Sequence, residues 1–292
     1  MVNTVIWNRN DYVNRMRARL SAPTTWKDVL NVIYSDSRTV VNAYMSTEPD
    51  TQTGTRGSAY GYSDFAITAE TLTIDQYAII PMLVDEADRN QQDYVSQMKI
   101  AEFQGDKINE KLETLMMAQY GSWKDFGVTD LANTGDDDTT AITVSAANID
   151  DIIRAIKRKL YENNGVDLAV KNGLFIVWRA SDFELLEAFV QANGFTEADI
   201  SLKNGIPVQK AFRYMGVDHY LSNSHNTTTN PHVFAGIKRL GDLGILRGTY
   251  GKAKFLEDPG NISGLGIVSR LDHGFDWPAQ YAEFFMDVNV TA

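Results

Sequence analysis

The chain has 292 residues, 43% of them hydrophobic and 22% charged, with a formal net charge of -11. That composition can bury a real core and excludes disorder throughout, and the length allows one large domain or two of modest size. The negative balance, without an Arg/Lys cluster interleaved with aromatics, argues against sequence-reading DNA binding, and the lack of cysteine excludes disulfides, thiolate metal sites and thiol nucleophiles.

The opening residues, Met1 to Asn10, lack the basic flank and apolar run of a secretion signal. No later stretch reaches the roughly 18 apolar residues of a membrane span, so the expected product is soluble and made in the cytoplasm. Residues 1–40 mix short amphipathic pieces: Tyr12, Val13 and Met16 share one helical face, and Trp26, Val29, Leu30, Val32 and Ile33 another. Neither piece makes a core, which predicts an arm that packs on something else, a neighbouring copy being the natural candidate.

From Val40 to Pro81 the pattern predicts a long hairpin. Val40, Val41, Ala43, Tyr44 and Met45 lead into a polar, glycine-bearing stretch around Gly54, Arg56, Gly57, Tyr60, Gly61 and Tyr62, and Phe65, Ile67, Leu72 and Ile74 return with largely alternating polarity. Such a tip should project. Pro81 is expected to end the strand, and Asp85-Glu86-Ala87-Asp88 supplies the acidic first turn of a helix. Tyr94, Met98, Ala101, Gly105, Ile108, Leu112 and Leu115 then recur at steps of four and three, one stripe of a rod running to Gln119, on the order of 50 Å long at about 1.5 Å per residue. Gly105 in its middle would let another element approach closely.

Gly121 should stop that helix, and 127–140 reads as a polar loop around Asp136-Asp137-Asp138. Beyond it the pattern is mixed α/β. Ile149, Ile152, Ile153, Ile156 and Leu160 mark a helix with Ser145 as its expected cap and Gly165 after its end. Leu174 to Trp178 is a continuous apolar strand, and Ser181 to Glu184 fits a capping box opening a helix with Leu185, Leu186, Phe189 and Val190 on its apolar face. Val217–Leu221 and 232–235 are further strands. In the tail, Leu265, Ile267 and Val268 form one strand, and Phe284, Met286, Val288 and Val290 alternate with Glu283, Asp287 and Asn289 in another, which suggests that the chain begins and ends in one sheet-bearing region.

Sites of chemistry are sparse. His219, His225, His232 and His273 lack zinc-ligand spacing and read as surface or loop residues. The three consecutive aspartates lack the alternating ligands and glycine of a calcium loop. Gly251-Lys252-Ala253 is not a phosphate loop, Gly264-Leu265-Gly266 is only a fragment of a dinucleotide fingerprint, and no Gly-x-Ser-x-Gly elbow occurs. No catalytic residue, metal site or cofactor site is assigned, and an enzyme has no anchor in these residues.

The order of the pieces resembles a known family. The polar hairpin, then Leu72 to Pro81 running through Asp85-Glu86-Ala87-Asp88 into a long helix containing Asp106-Lys107-Ile108-Asn109-Glu110-Lys111-Leu112-Glu113, is similar to the extended loop and spine helix of tailed-bacteriophage major capsid proteins with the HK97-like fold. Leu174 to Trp178, Asn204-Gly205-Ile206-Pro207 and Met215 to Asn223 resemble the axial domain of that family. The resemblance covers nearly the whole chain in order, although each piece is degenerate.

The resemblance implies an α+β fold: an N-terminal arm at 1–40, an extended β-hairpin loop at 41–82, a spine helix and peripheral domain at 83–125, an α/β axial domain at 126–255 and return strands of the peripheral sheet at 256–292. It implies a non-enzymatic subunit that self-assembles through hexamers and pentamers into an icosahedral virion shell in the bacterial cytoplasm. Double-stranded genomic DNA would be enclosed without sequence-specific contacts, with scaffolding, portal and decoration proteins as further partners and no membrane. Arg56, Tyr60, Tyr62 and Phe65 of the loop would touch a neighbouring subunit, while Tyr94, Met98, Gly105, Ile108, Leu112 and Leu115 would pack the spine. Some members cross-link through a lysine in the extended loop; 41–82 contains none, which argues against that bond here. The absence of a long helical segment before the arm points to a separate scaffold. Two other readings stand beside this one: an encapsulin-like nanocompartment shell, which shares the fold, and an α/β ligand-binding protein or enzyme with an unrecognised site.

Overall fold

The computed structural model describes residues 9–47, 53, 55–57, 61, 66–85, 94–192, 210–224, 231–261 and 263–291. Helix α1 (Arg9–Leu20) carries Tyr12, Met16 and Leu20 at steps of four, and all three are fully buried. A short helix α2 (Thr25–Val29) buries Trp26 and Val29, and strand β1 (Asn31–Ser35) follows. Residues 9–35 therefore pack on their own chain, which corrects the expectation of an arm seeking a partner: the stripe is short, but it has a helix of the same molecule to dock on.

Strands β2 (Thr39–Thr47) and β3 (Ala66–Thr73) pair antiparallel, and a two-residue step at Ile74 and Asp75 leads into β4 (Gln76–Asp85). Strand β4 runs straight through Pro81, contrary to the predicted stop. Among the described residues it has one neighbouring strand, and an edge strand can lose one N–H on its open side without losing a ladder bond. The long helix α3 is Tyr94–Met117, about 36 Å; Asp85, expected to open it, ends β4 instead, because Met82, Leu83 and Val84 continue the sheet pairing, and 86–93 lie outside the described residues.

The remaining elements are β5 (Lys124–Phe126), α4 (Val128–Ala132), α5 (Ile149–Glu162), α6 (Val166–Asn172), β6 (Leu174–Trp178), α7 (Ala180–Ala192), β7 (Lys210–Tyr214), β8 (Val217–Leu221), β9 (His232–Ile237), β10 (Asp242–Leu246), β11 (Ala253–Glu257), β12 (Gly264–Asp276) and β13 (Phe285–Asn289). Asn148, not Ser145, occupies the cap position of α5, and its side-chain oxygen accepts from the Ser145 amide and hydroxyl. Ser181 lies inside α7, where the buried Asp182 is held by both guanidinium arms of Arg179 at 2.6 and 3.0 Å. Leu186 is fully buried on that helix, while Leu185, Phe189 and Val190 are half-buried against the core.

Two sheets result. In the first, β12 is the central ladder: β4 lies along one edge, β11 and then β10 along the other, and β1 runs parallel to β10. Helices α1 and α3 cover one face of it. In the second, the order is β5-β13-β9-β6-β8-β7, with β6 entirely buried. The tail therefore divides: β12 serves the first sheet and β13 the second, so 256–292 is not one unit. Within 126–255, β10 and β11 pair with β12 and so belong to the first sheet. Asp287 and Asn289 are buried despite their polarity, since His232 Nδ1 stands 2.7 Å from Asp287 and Asn289 donates to Asp125 at 3.3 Å. Burial and the Asp125 charge raise the Asp287 carboxyl to about 8.

Helices α1 and α3 cross at Gly105. A Cβ there would lie 2.7 Å from Arg19 Cβ and 3.0 Å from the Met16 carbonyl oxygen, so only glycine permits this approach. Buried Gln104 ties the layers together: its Oε1 accepts from the Tyr12 hydroxyl at 2.9 Å and from the Ser269 hydroxyl. Between the sheets, Trp123 stacks on Phe234 at 3.7 Å with Trp277 edge-on to both. Among the described residues no helix is long and apolar enough to cross a membrane.

Candidate assembly surface

The β2–β3 pair stands apart as a two-stranded ribbon with its own register, Val41 opposite Thr71, Ala43 opposite Ala69 and Met45 opposite Ile67. Side chains alternate across a strand, so this register gives the ribbon two different faces. One carries Val40, Asn42, Glu70 and Leu72; all are at least half-buried, and Leu72 is fully enclosed. The other carries Val41, Ala43, Ile67, Ala69 and Thr71, all exposed, with Val41 and Ile67 each 64% exposed. A ribbon of two strands is marginal alone in water, and this one turns a flat, uncharged, largely apolar face to solvent.

The root of the ribbon is firmly set. Ile74 N–H donates to the Arg38 carbonyl at 2.7 Å, Asn42 donates to Asp242 at 2.9 Å, and the Ala279 N–H donates to Glu70 at 3.1 Å. The Arg38 guanidinium reaches Asp272 at 3.5 Å. The inner face of the ribbon is thus spent on the root.

Of the predicted loop contacts, Arg56 is exposed in a turn with Gly57 at a left-handed φ of 92°, while Tyr60, Tyr62 and Phe65 lie outside the described residues. On α3, Met98, Gly105, Ile108 and Leu112 are buried and Leu115 half-buried, so this stripe faces the subunit's own interior; the Tyr94 side chain lies outside the described residues. Val41, Ala43, Ile67 and Ala69 were not singled out from the sequence as contact residues. Their alternation was visible, but which face of the hairpin met the body was not.

A second exposed apolar surface lies on the first sheet. Tyr77, Ile79 and Leu83 of β4 are 55%, 45% and 47% exposed, and Leu256 of β11 is 45% exposed. The Arg270 guanidinium sits over the Tyr77 ring at 4.5 Å.

The groups weighed for chemistry have structural partners. Asp136 pairs with Lys159 and Asp137 with Lys124, and Asp138 accepts the backbone N–H groups of Thr129 and Thr140, which hold its carboxyl down to about 2. A surface depression of about 410 Å³ on the second sheet's flank is lined by Arg154 and Arg158, but Arg154 is engaged by Asp150 and Asp151 and Arg158 by the Asp130 carbonyl. Among the described residues no group of His, Asp and Glu side chains is arranged to hold a metal ion. The histidines are not surface residues: His219 and His273 are fully buried, His232 is paired with Asp287, and His225 lies outside the described residues. Strand positions β8 and β12 carry them inward, which spacing alone does not reveal.

No protein-family model and no curated protein matches the chain. Solved structures do. The capsid of an empty GTA particle superposes with a TM-score of 0.63 at 12% identity, over 93% of this chain and 91% of that one. A subunit from Mycobacterium phage Che8 gives 0.58 at 15% identity, over 91% and 96%. A virus-like particle from Pyrococcus furiosus gives 0.58 at 10% identity, over 97% and 100%. At such identities likeness speaks for the fold, and it covers 91% to 97% of the chain: the chain has the HK97-like capsid fold.

Proposed function

We propose that this chain is the major capsid protein of a tailed phage, a structural subunit without catalytic function that builds an icosahedral shell around double-stranded DNA. The observation that carries the reading is the ribbon's outer face, where Val41, Ala43, Ile67, Ala69 and Thr71 stand exposed among the described residues. A neighbouring copy would cover it. Each subunit would give its ribbon to the next and receive one in turn, a heterologous contact that closes into rings, the hexamers and pentamers of a shell. In this reading β1, β4, β10, β11 and β12 with α3 form the peripheral unit, the second sheet forms the axial unit at ring centres, and Arg56, Tyr60, Tyr62 and Phe65 extend the contact beyond the ribbon. Many modest contacts sum over a shell, so none need be strong. Scaffolding, portal and decoration proteins are the further partners, and DNA is enclosed, not read.

The likeness to the Pyrococcus particle, over the full length of that chain, favours one second reading: a nanocompartment shell around a protein cargo. Expression of the chain, alone and with proteins encoded beside it, followed by electron microscopy and assay of the contents, tests both. Closed shells protecting DNA from nuclease support the phage reading, shells holding a co-purifying enzyme support the compartment, and a protein that stays monomeric under all conditions overturns both. Removal of 52–60 should leave a folded subunit that forms no stable shell.

A further inference from the structure

The ribbon crosses the first sheet over a floor of two glycines. A Cβ at Gly274 would lie 2.0 Å from the Thr73 carbonyl oxygen, and one at Gly244 would lie 2.9 Å from Ile74 Cγ1 and 3.0 Å from Leu72 Cδ2. Gly244 and Gly274 are register partners on β10 and β12. Two residues away along each strand, and so on the same face, stand Asp242 and Asp276, which are also register partners. The ribbon adds a third carboxylate, Glu70 of β3, opposite Asn42, whose amide donates to Asp242. Carboxylates from β3, β10 and β12 thus converge at the point where the ribbon meets the body.

Among the described residues the groups around this point do not neutralise them. Asn31 of β1 donates to Asp242 at 2.7 Å and Asn42 of β2 at 2.9 Å, both without charge. Glu70 takes the Ala279 N–H. Arg38, between β1 and β2, and Arg270 of β12 both direct their guanidinium groups to Asp272. His273 projects from the opposite face of β12, beside Ile245, and burial lowers its pKa. Burial raises the Asp242 carboxyl, with the Glu70 charge adding to it, and burial raises that of Asp276, with Glu70 and Asp242 adding.

We infer that the root of the ribbon is a pH-responsive hinge: with Asp242, Asp276 and Glu70 all ionised their repulsion loosens the ribbon from its glycine floor, and proton uptake by this cluster seats it. The sign follows from linkage. A carboxyl whose pKa is higher with the ribbon seated than with it released holds its proton more tightly in the seated state, so seating is strongest near the ordinary carboxylate range and weakens as the pH rises above it. Nothing in this depends on what the chain assembles into.

Hydrogen exchange of the purified full-length chain tests it, between about pH 4.5 and 8, with rates corrected for intrinsic exchange and the oligomeric state checked to be the same throughout. Amides of 39–44 and 66–73 should be protected severalfold more at the acidic end, while the β6 and β9 amides, remote from the cluster, keep their protection. Asp276→Asn should make the ribbon well protected across the range and flatten the profile, and Glu70→Gln, at a half-buried position that tolerates the change more easily, should flatten it in part. A wild-type ribbon equally protected at all pH values, or either variant retaining the full wild-type profile, overturns the hinge.

Discussion

The indole N–H of Trp178 donates to Nδ1 of His219 at 2.8 Å, with both side chains fully buried in neighbouring strands of the second sheet. That bond fixes the tautomer: Nδ1 accepts, so Nε2 carries the proton and faces the Tyr214 carbonyl oxygen at 3.3 Å. A proton added to Nδ1 would point at the indole N–H and break the bond. Burial accordingly lowers the pKa of His219 from 6.5 to about 4.

Between those two values the unfolded chain binds the proton and the folded one does not, so stability falls as the pH drops through the window, by roughly 3 kcal/mol in all. His219→Gln keeps an acceptor for Trp178 and has nothing to titrate. Urea denaturation from pH 7 down to 4.5 should show a shallower loss for the variant than for the wild type; equal slopes would place the acid sensitivity elsewhere.

Lys238 is the cation at the junction of α2 with the second sheet. It is 6% exposed, lies 2.7 Å from Asp218 and 2.8 Å from Asp28, and donates to the Tyr220 hydroxyl, which itself donates to Asp28. Lys238→Met leaves Asp218, whose side chain is 14% exposed, beside a second carboxylate with Arg213 still 3.9 Å away, and should cost on the order of 2 kcal/mol, most of it through Asp218, since the Asp28 side chain is more solvated. Adding Asp218→Asn should recover part of the loss. A double variant no more stable than Lys238→Met would show that packing of the lysine stem, not the charge, holds the junction.

Gly105 makes a sharper case. Valine there would set its Cβ against Arg19 Cβ at 2.7 Å and the Met16 carbonyl at 3.0 Å, the first a side-chain root fixed to helix α1 and the second its backbone, neither of which can swing aside. Overpacking of this kind costs about 1–3 kcal/mol, more than the helix propensity gained by losing a glycine. Limited proteolysis should cut within 9–20 in Gly105→Val faster than in the wild type. Unchanged cutting would mean that α1 shifts along α3 to make room.

What could be read from the sequence follows from how locally each element is determined. Leu174 to Trp178 and Val217 to Leu221 are strands because short apolar runs between turns have few alternatives, and Gly105 announced a close approach because nothing else explains glycine in mid-helix. Long-range pairing was not legible. The acidic residues after Val84 signalled a helix, yet β12 extended the strand to Asp85. Asp287 and Asn289 alternated like surface residues, and only the meeting of β13 with β5 and β9 supplied Asp125 and His232 to bury them. The sides of the hairpin were equally ambiguous, because inward and outward are defined by Gly244 and Gly274, far along the chain.

The ribbon's outer face separates folding from assembly. Val41 and Ile67 contribute little to the single subunit, since each is 64% exposed, and surface changes of this kind stay within about 0.5 kcal/mol. Val41→Lys with Ile67→Lys should therefore leave the urea midpoint of the dissociated subunit nearly unchanged. In a shell the same two positions would recur in every subunit, each requiring an ammonium to be desolvated against a neighbour, a cost of several kcal/mol per buried, unpaired charge. Sedimentation of the variant should show free subunits or small rings where the wild type forms shells. Shells of normal yield and stability would mean that this face stays open to solvent in the assembled state, and that neighbours join through other surfaces, with the strip of Tyr77, Ile79 and Leu83 the next to be changed.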